Sequence, residues 1–184
     1  VVPTFRPDAY LEAARPGWRA LTDNLARVTD VDITSYASHV EAMRVRRLFF
    51  KEQGAVSTDH SHADAGTERL SDTRAEFLFT EAMTGTISAP DADALRRHMI
   101  NDQARLACDD CLVMTMHPAV ARNHDPATQA RFGADVGGDV PHAVEFTRAL
   151  QPMLSSYGNA EGFHLVVFTM DETAYSRELA PMAA

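Results

Sequence analysis

Four short runs of this chain are apolar with little alternation: VVPTF (1–5), GAVST (54–58), CLVMTM (111–116) and HLVVFTM (164–170). A strand with one wet face alternates apolar and polar residues. A run that stays apolar has both faces covered, as in a parallel sheet under helices. Between the runs lie stretches with helical spacing, at 17–30, 33–53, 71–85, 88–110 and 139–158. Their ends carry the expected punctuation. Gly54 follows the second stretch, Ser71 and Gly85 bracket the third, and Ser88 with Pro90 opens the fourth. Asp139 and Pro141 predict the opening of the fifth, Gly158 its end, and Pro152 a kink within it. The order β-αα-β-αα-β-α-β-α predicts a parallel sheet with right-handed crossovers.

Such a sheet is either a small open one or an arc of a (β/α)8 barrel. A full barrel needs roughly 250 residues, and 184 with extra helices hold about half. The chain opens directly on apolar residues without Met and ends inside a helical pattern, ETAYSRELAPMAA, so both ends read as cuts in a longer protein. The expected fold class is therefore α/β, part of a (β/α)8 TIM-type barrel with about four parallel βα units and extra helices. It is read as a single partial domain over 1–184, with a helical excursion at about 8–53. A long, Gly-rich βα loop is expected over 118–139.

Charge narrows the function. The formal net charge of −9 repels nucleic acid and anionic membranes. The basic clusters at 44–47 and at Arg96-Arg97 are expected on solvated helix faces. No run of 18 apolar residues and no signal-peptide pattern is present, which makes a cytoplasmic setting the default expectation. The pair Cys108 and Cys111 sits at the end of a helical stretch beside two aspartates, where thiol pKa rises. These are expected to be structural cysteines.

In either architecture chemistry collects beyond the carboxyl ends of the strands. The first run leads into Arg6 and Asp8, and the second into Asp59, His60 and His62. The third leads into His117, Arg122, Asn123 and His124, and the fourth into Asp171 and Glu172. The opposite ends are blander. Arginines match a carboxylate with a permanently charged fork, while His and Asp hold hydroxyls and move protons near neutral pH. The crevice so formed suits a small anionic polyol. Each residue also has a structural alternative: Asp59 as a cap, Arg122 and Asn123 as pins for the long loop, Asp171 as the cap of the last helix. His39, His98 and His142 fall in helical stretches and are expected to pack or lie at the surface.

The segments PTFRPD, GAVSTDH, LVMTMHPAVARNHD, RFGADVGGDVP and VVFTMDETAYSRELAP resemble, in order, segments of bacterial uronate isomerases of the amidohydrolase superfamily. The resemblance implies a distorted (β/α)8 barrel that interconverts D-glucuronate with D-fructuronate and D-galacturonate with D-tagaturonate. It implies that Arg6, Asp59, His117 and Arg122 line the sugar-acid pocket; with the strand-end reading, Asp59 and His117 are expected to be catalytic and Arg6, Arg122, His60 and Asn123 to contact substrate. Zinc is implied for the full-length enzyme, held by an HxH on the first barrel strand and an Asp at the last. Neither element is in this chain, so no metal ligand is expected here. His60-Ser61-His62 is read as a substrate-side loop. The implied partner is a hexuronate, with no nucleic acid or membrane, and self-association is left open. Two other functions stay open: a metal-dependent hydrolase of the same superfamily, and a non-catalytic sugar-acid-binding module.

Overall fold

The computed structural model describes residues 1–183; Ala184, at the end of the last expected helix, lies outside them. Helices α1 (Asp8–Leu11), α2 (Trp18–Thr29) and α3 (Tyr36–Glu52) precede strand β1 (Ser57–His60). Helices α4 (Asp72–Thr84) and α5 (Ala89–Asp110) lead to β2 (Val113–Met116). A small excursion follows, made of β3 (Val120–Ala121), α6 (Pro126–Phe132) and β4 (Val140–Pro141). Helix α7 (Thr147–Tyr157), β5 (Leu165–Val167) and a closing helical segment complete the chain. That segment runs from α8 (Glu172–Ala174) through a π turn (Tyr175–Leu179) into α9 (Ala180–Met182).

Strands β1, β2 and β5 form a parallel sheet in that order, with Asp59 opposite Thr115 and Met116 opposite Val167. The first apolar run does not form a strand. Only Phe5 joins the sheet, as a single parallel bridge to Thr58, because Pro3 lacks an N–H to donate and the two valines before it are exposed. Thr58, His60, Met114 and Met116 face the helices and are buried. Ser57, Asp59 and Thr115 face the other way and are half-buried, while Val166 is exposed. The helices therefore cover one face, and the other stays open.

The caps explain the helix bounds. Ser35, Ser71 and Ser88 each accept a backbone N–H of the first turn, and Gly85 takes the left-handed conformation at the end of α4. Helix α5 ends on Cys111, a non-glycine residue with φ of 59°. Helix α7 begins eight residues later than the Asp139 and Pro141 signals predict. Pro141 instead pairs with Val120 in the β3–β4 hairpin, and Asp139 accepts from Arg122 at 3.1 Å. Glu145, just before α7, accepts the Arg148 N–H at 2.8 Å. Glu178, from the π turn, accepts the N–H groups of Phe146 and Thr147 at 2.7 and 2.9 Å. The Arg177 guanidinium and these N–H groups pull the Glu178 carboxyl down to about 2.

The basic clusters correct another expectation. Arg47 and Arg96 are fully buried rather than solvated. Arg47 makes a two-pronged pair with Asp110 at 2.6 and 2.9 Å and donates to Gln103, tying α3 to the end of α5. Arg96 donates to Asp64 at 2.7 Å. A fork of donors lets each guanidinium be buried with its bonds satisfied. His39 and His98 pack in the core as expected, whereas His142 lies outside any helix and is exposed. Among the described residues no helix is long and apolar enough to cross a membrane.

Candidate functional site

Strand alternation sets the site. Asp59, on the open face of β1, is met by His117 from the turn after β2, with Nε2 at 2.9 and 3.0 Å from the two carboxylate oxygens. Thr115 Oγ1 donates to the same carboxylate at 3.0 Å. Arg6 reaches toward it with Nη1 at 3.8 Å. Burial pushes the Asp59 carboxyl up, but the bonds from His117 and Thr115, together with the His117 and Arg6 charges, outweigh it and leave its pKa below the ordinary value. Asp59 is thus an anion held in a donor shell, and His117 keeps one ring nitrogen engaged.

Beside this pair opens a crevice of about 540 Å³ lined by Arg6, Asp8, Ala9, Arg15, Arg122 and Asp135. Arg6 is aimed by Asp8, whose Oδ2 accepts from its Nε at 2.7 Å. Asp8 in turn is fixed by the Ser61 N–H at 3.1 Å. Arg122 enters from the β3 end and is balanced by Asp139 at 3.1 Å and Asp135 at 3.9 Å. Arg6, Arg15 and Arg122 thus line one crevice, with Arg6 and Arg122 each held in place by carboxylates, and offer forked donors to a small anion. Arg15, in the loop after α1, was not legible as a member; only the short helix α1 folds it back beside Arg6.

Two expected members lie elsewhere. His60 has no exposed surface and points into the helix layer, on the opposite face of β1 from Asp59. Burial, with the nearby His62, Arg47, His117 and Arg6 charges, holds its pKa well below the ordinary value. Asn123 sits in the left-handed region, with φ of 55°, and its Oδ1 accepts from the Asp135 N–H at 2.8 Å. It pins the loop, the structural alternative its position allowed. Asp171 caps the last helix by accepting from the Thr173 N–H. Cys108 is raised by burial and by the Asp109 charge, in line with a structural thiol.

One group of side chains has the composition of a metal site. Asp8, His60 and His62 bring one ligand atom each within 4.8 Å of one another. It lies in the helix layer behind β1, so it does not fit a metal acting at a carbonyl in the crevice, on the other face.

The profile of the glucuronate isomerase family matches residues 1–184. Similar curated proteins include the uronate isomerase of Cutibacterium acnes, 50% identical over 183 residues, and that of Nostoc punctiforme, 46% identical over 181. The matches cover 100% and 98% of this chain but 39% and 38% of those proteins, so the chain spans about two fifths of its relatives' length. The solved glucuronate isomerase of Caulobacter crescentus superposes with a TM-score of 0.91 at 38% identity, covering all of this chain and 38% of that one. The Thermotoga maritima uronate isomerase, 20% identical with a TM-score of 0.89, shares the fold over 99% of this chain and 40% of its own length.

Proposed function

The chain belongs to the glucuronate isomerase family, and on that premise we propose that it supplies part of the active site of an aldose–ketose isomerase acting on D-glucuronate and D-galacturonate. The observation that carries the reading is the Asp59–His117 pair set beside an arginine-lined crevice. The sheet, covered on one face and open on the other, is read as an arc of a (β/α)8 barrel whose open face looks into the barrel. Residues 1–184 form a single partial domain on this reading, and 118–139 is its long βα loop, folded on itself through β3, α6 and β4.

Isomerisation removes the proton on C2 of the open-chain aldehyde, moves the electron pair into a C1–C2 double bond and protonates O1. The enediol then returns a proton to C1 and loses the O2 proton to give the ketone. Arg6 or Arg122 clamps the far carboxylate with a charged, forked contact. Asp59 and His117 hold the hydroxyls at the reacting end and pass the O1/O2 proton between them, Asp59 keeping the imidazole oriented through Nε2. Zinc, when bound in the full-length enzyme, supplies an electrophile for the carbonyl oxygen; on this reading its ligands lie outside these 184 residues.

The test uses the intact gene product with glucuronate in deuterated water, followed by proton NMR. Formation of fructuronate with solvent deuterium at the migrating position is expected, with kcat falling about 100-fold or more in Asp59→Asn. Hydrolysis of a sugar lactone without any isomerisation would instead place the chain among the hydrolases of the same superfamily.

A further inference from the structure

The cluster behind β1 has a feature that packing alone does not produce. His62 Nδ1 lies 2.6 Å from Glu12 Oε1, and His60 Nε2 lies 3.1 Å from Thr58 Oγ1. Each ring therefore has one nitrogen engaged. The other nitrogen of each, His60 Nδ1 and His62 Nε2, is buried without a hydrogen-bond partner. Asp8 Oδ1 faces the same space, 3.5 Å from His62 Nε2. A neutral imidazole that donates from one nitrogen presents a lone pair on the other. With His62 donating to Glu12 and His60 to Thr58, two lone pairs and a carboxylate oxygen converge with no hydrogen between them. Three converging acceptors call for a cation.

We propose that Asp8, His60 and His62 bind a divalent transition metal of the zinc class. Two imidazoles and one carboxylate are a common donor set for such ions, with ligand distances of about 2.0–2.2 Å. The three atoms, all within 4.8 Å of one another, reach one ion by modest inward rotation of the rings. The partners of the far nitrogens have the right chemistry as well: a His that ligates a metal typically donates its other N–H to a carboxylate or other acceptor. Glu12 and Thr58 fill those places. Glu12 is itself 3.7 Å from Arg96, which also lies 2.7 Å from Asp64 and 3.6 Å from Asp93. A proton on His62 would satisfy Asp8 but leave His60 Nδ1 facing nothing.

The consequence reaches the crevice through Asp8. Its Oδ1 faces the two histidines while its Oδ2 aims Arg6. An ion here is a structural clamp that joins α1 to the turn after β1 and fixes the Arg6 guanidinium from behind. It does not depend on which sugar acid the crevice takes, nor on the reaction being an isomerisation.

The test is metal content of the intact gene product, loaded with zinc, dialysed against metal-free buffer and measured by mass spectrometry. Wild type is expected to hold one more equivalent per chain than Asp8→Asn or His60→Asn. Glu12→Gln is expected to weaken that equivalent about 10- to 100-fold. Cobalt substitution is expected to give a visible absorption band that Asp8→Asn loses. Asp8→Asn preserves the side chain's size, and circular dichroism checks its fold, so it decides the matter even if the histidine variant unfolds. Asp59→Asn, on the other face of β1, serves as the control and is expected to keep the equivalent. Equal metal content in wild type and Asp8→Asn, with no difference in the cobalt spectrum, overturns the proposal and leaves a buried water or proton in the cluster. Wild type that holds the extra equivalent but shows no isomerisation would count against the proposed reaction and not against the site.

Discussion

His39 sits in the first turn of α3 against Trp18 and Phe79, with ring centroids 6.0 and 5.3 Å away. It is enclosed, and neither ring nitrogen has a partner. Burial holds its pKa down at about 4, against about 6.5 in an unfolded chain. Between those values the unfolded chain binds a proton that the folded chain refuses. Stability is therefore intact above the unfolded value and is lost as pH falls toward the folded one. Integrated down to about pH 5, that one residue costs about 2 kcal/mol, and about 3 kcal/mol once pH is below the folded value. His39→Leu keeps a similar volume and removes both the titration and two unpaired nitrogens, worth about 1 kcal/mol or more at neutral pH. Urea unfolding monitored by circular dichroism at about pH 7.5 and about pH 5 measures both effects. The variant is expected to be more stable at each pH, with its advantage growing by about 2 kcal/mol at the lower one. His60, also held neutral by burial, leaves a residual slope in both proteins. An advantage that does not change with pH would refute the buried-neutral assignment of His39.

Arg47→Ala strands Asp110 and Gln103 inside the α3–α5 contact and is expected to lower stability by about 3–5 kcal/mol in the same assay; a loss below about 1 kcal/mol would mean solvent reaches that pair. Cys111→Gly relieves a left-handed non-glycine cap and is expected to add about 0.5–1 kcal/mol, read as a higher thermal midpoint. Arg6→Met is expected to raise KM for a hexuronate about 10- to 100-fold with a smaller effect on kcat, as loss of a charged contact made equally in ground and transition states. A change confined to kcat would move Arg6 from clamp to chemistry.

The helices were legible wherever their ends carry their own caps, as at Ser71, Gly85 and Ser88. Helix α7 was misplaced because Asp139 and Pro141 mimic a helix start, while its first N–H groups are taken partly by Glu178, from 31 residues away, and partly by Glu145, a weaker local signal. Asp59 and His117 could be read from strand ends, since the parallel sheet fixes where such residues gather. His60 could not be assigned to a face, because its neighbour Asp59 is the one that looks outward, and helices far along the chain decide which side of β1 is covered. Arg15 and Glu12 were missed for a related reason: a one-turn helix, α1, carries both into place, and four residues are too few to leave a periodic signal.

The two oxygens of Asp8 have a bearing on laboratory evolution. One orients Arg6 and the other faces His62, so the proposed ligand clamp and the cluster behind it are linked through a single carboxylate. A library that randomises Arg6 alone, to retune which acid the crevice accepts, leaves Asp8 with an uncompensated oxygen, and most of its members inherit that defect whatever they gain in recognition. Varying positions 6 and 8 together, or exchanging the whole Arg6-Pro7-Asp8 bracket, searches the landscape along a direction in which the support can change with the contact.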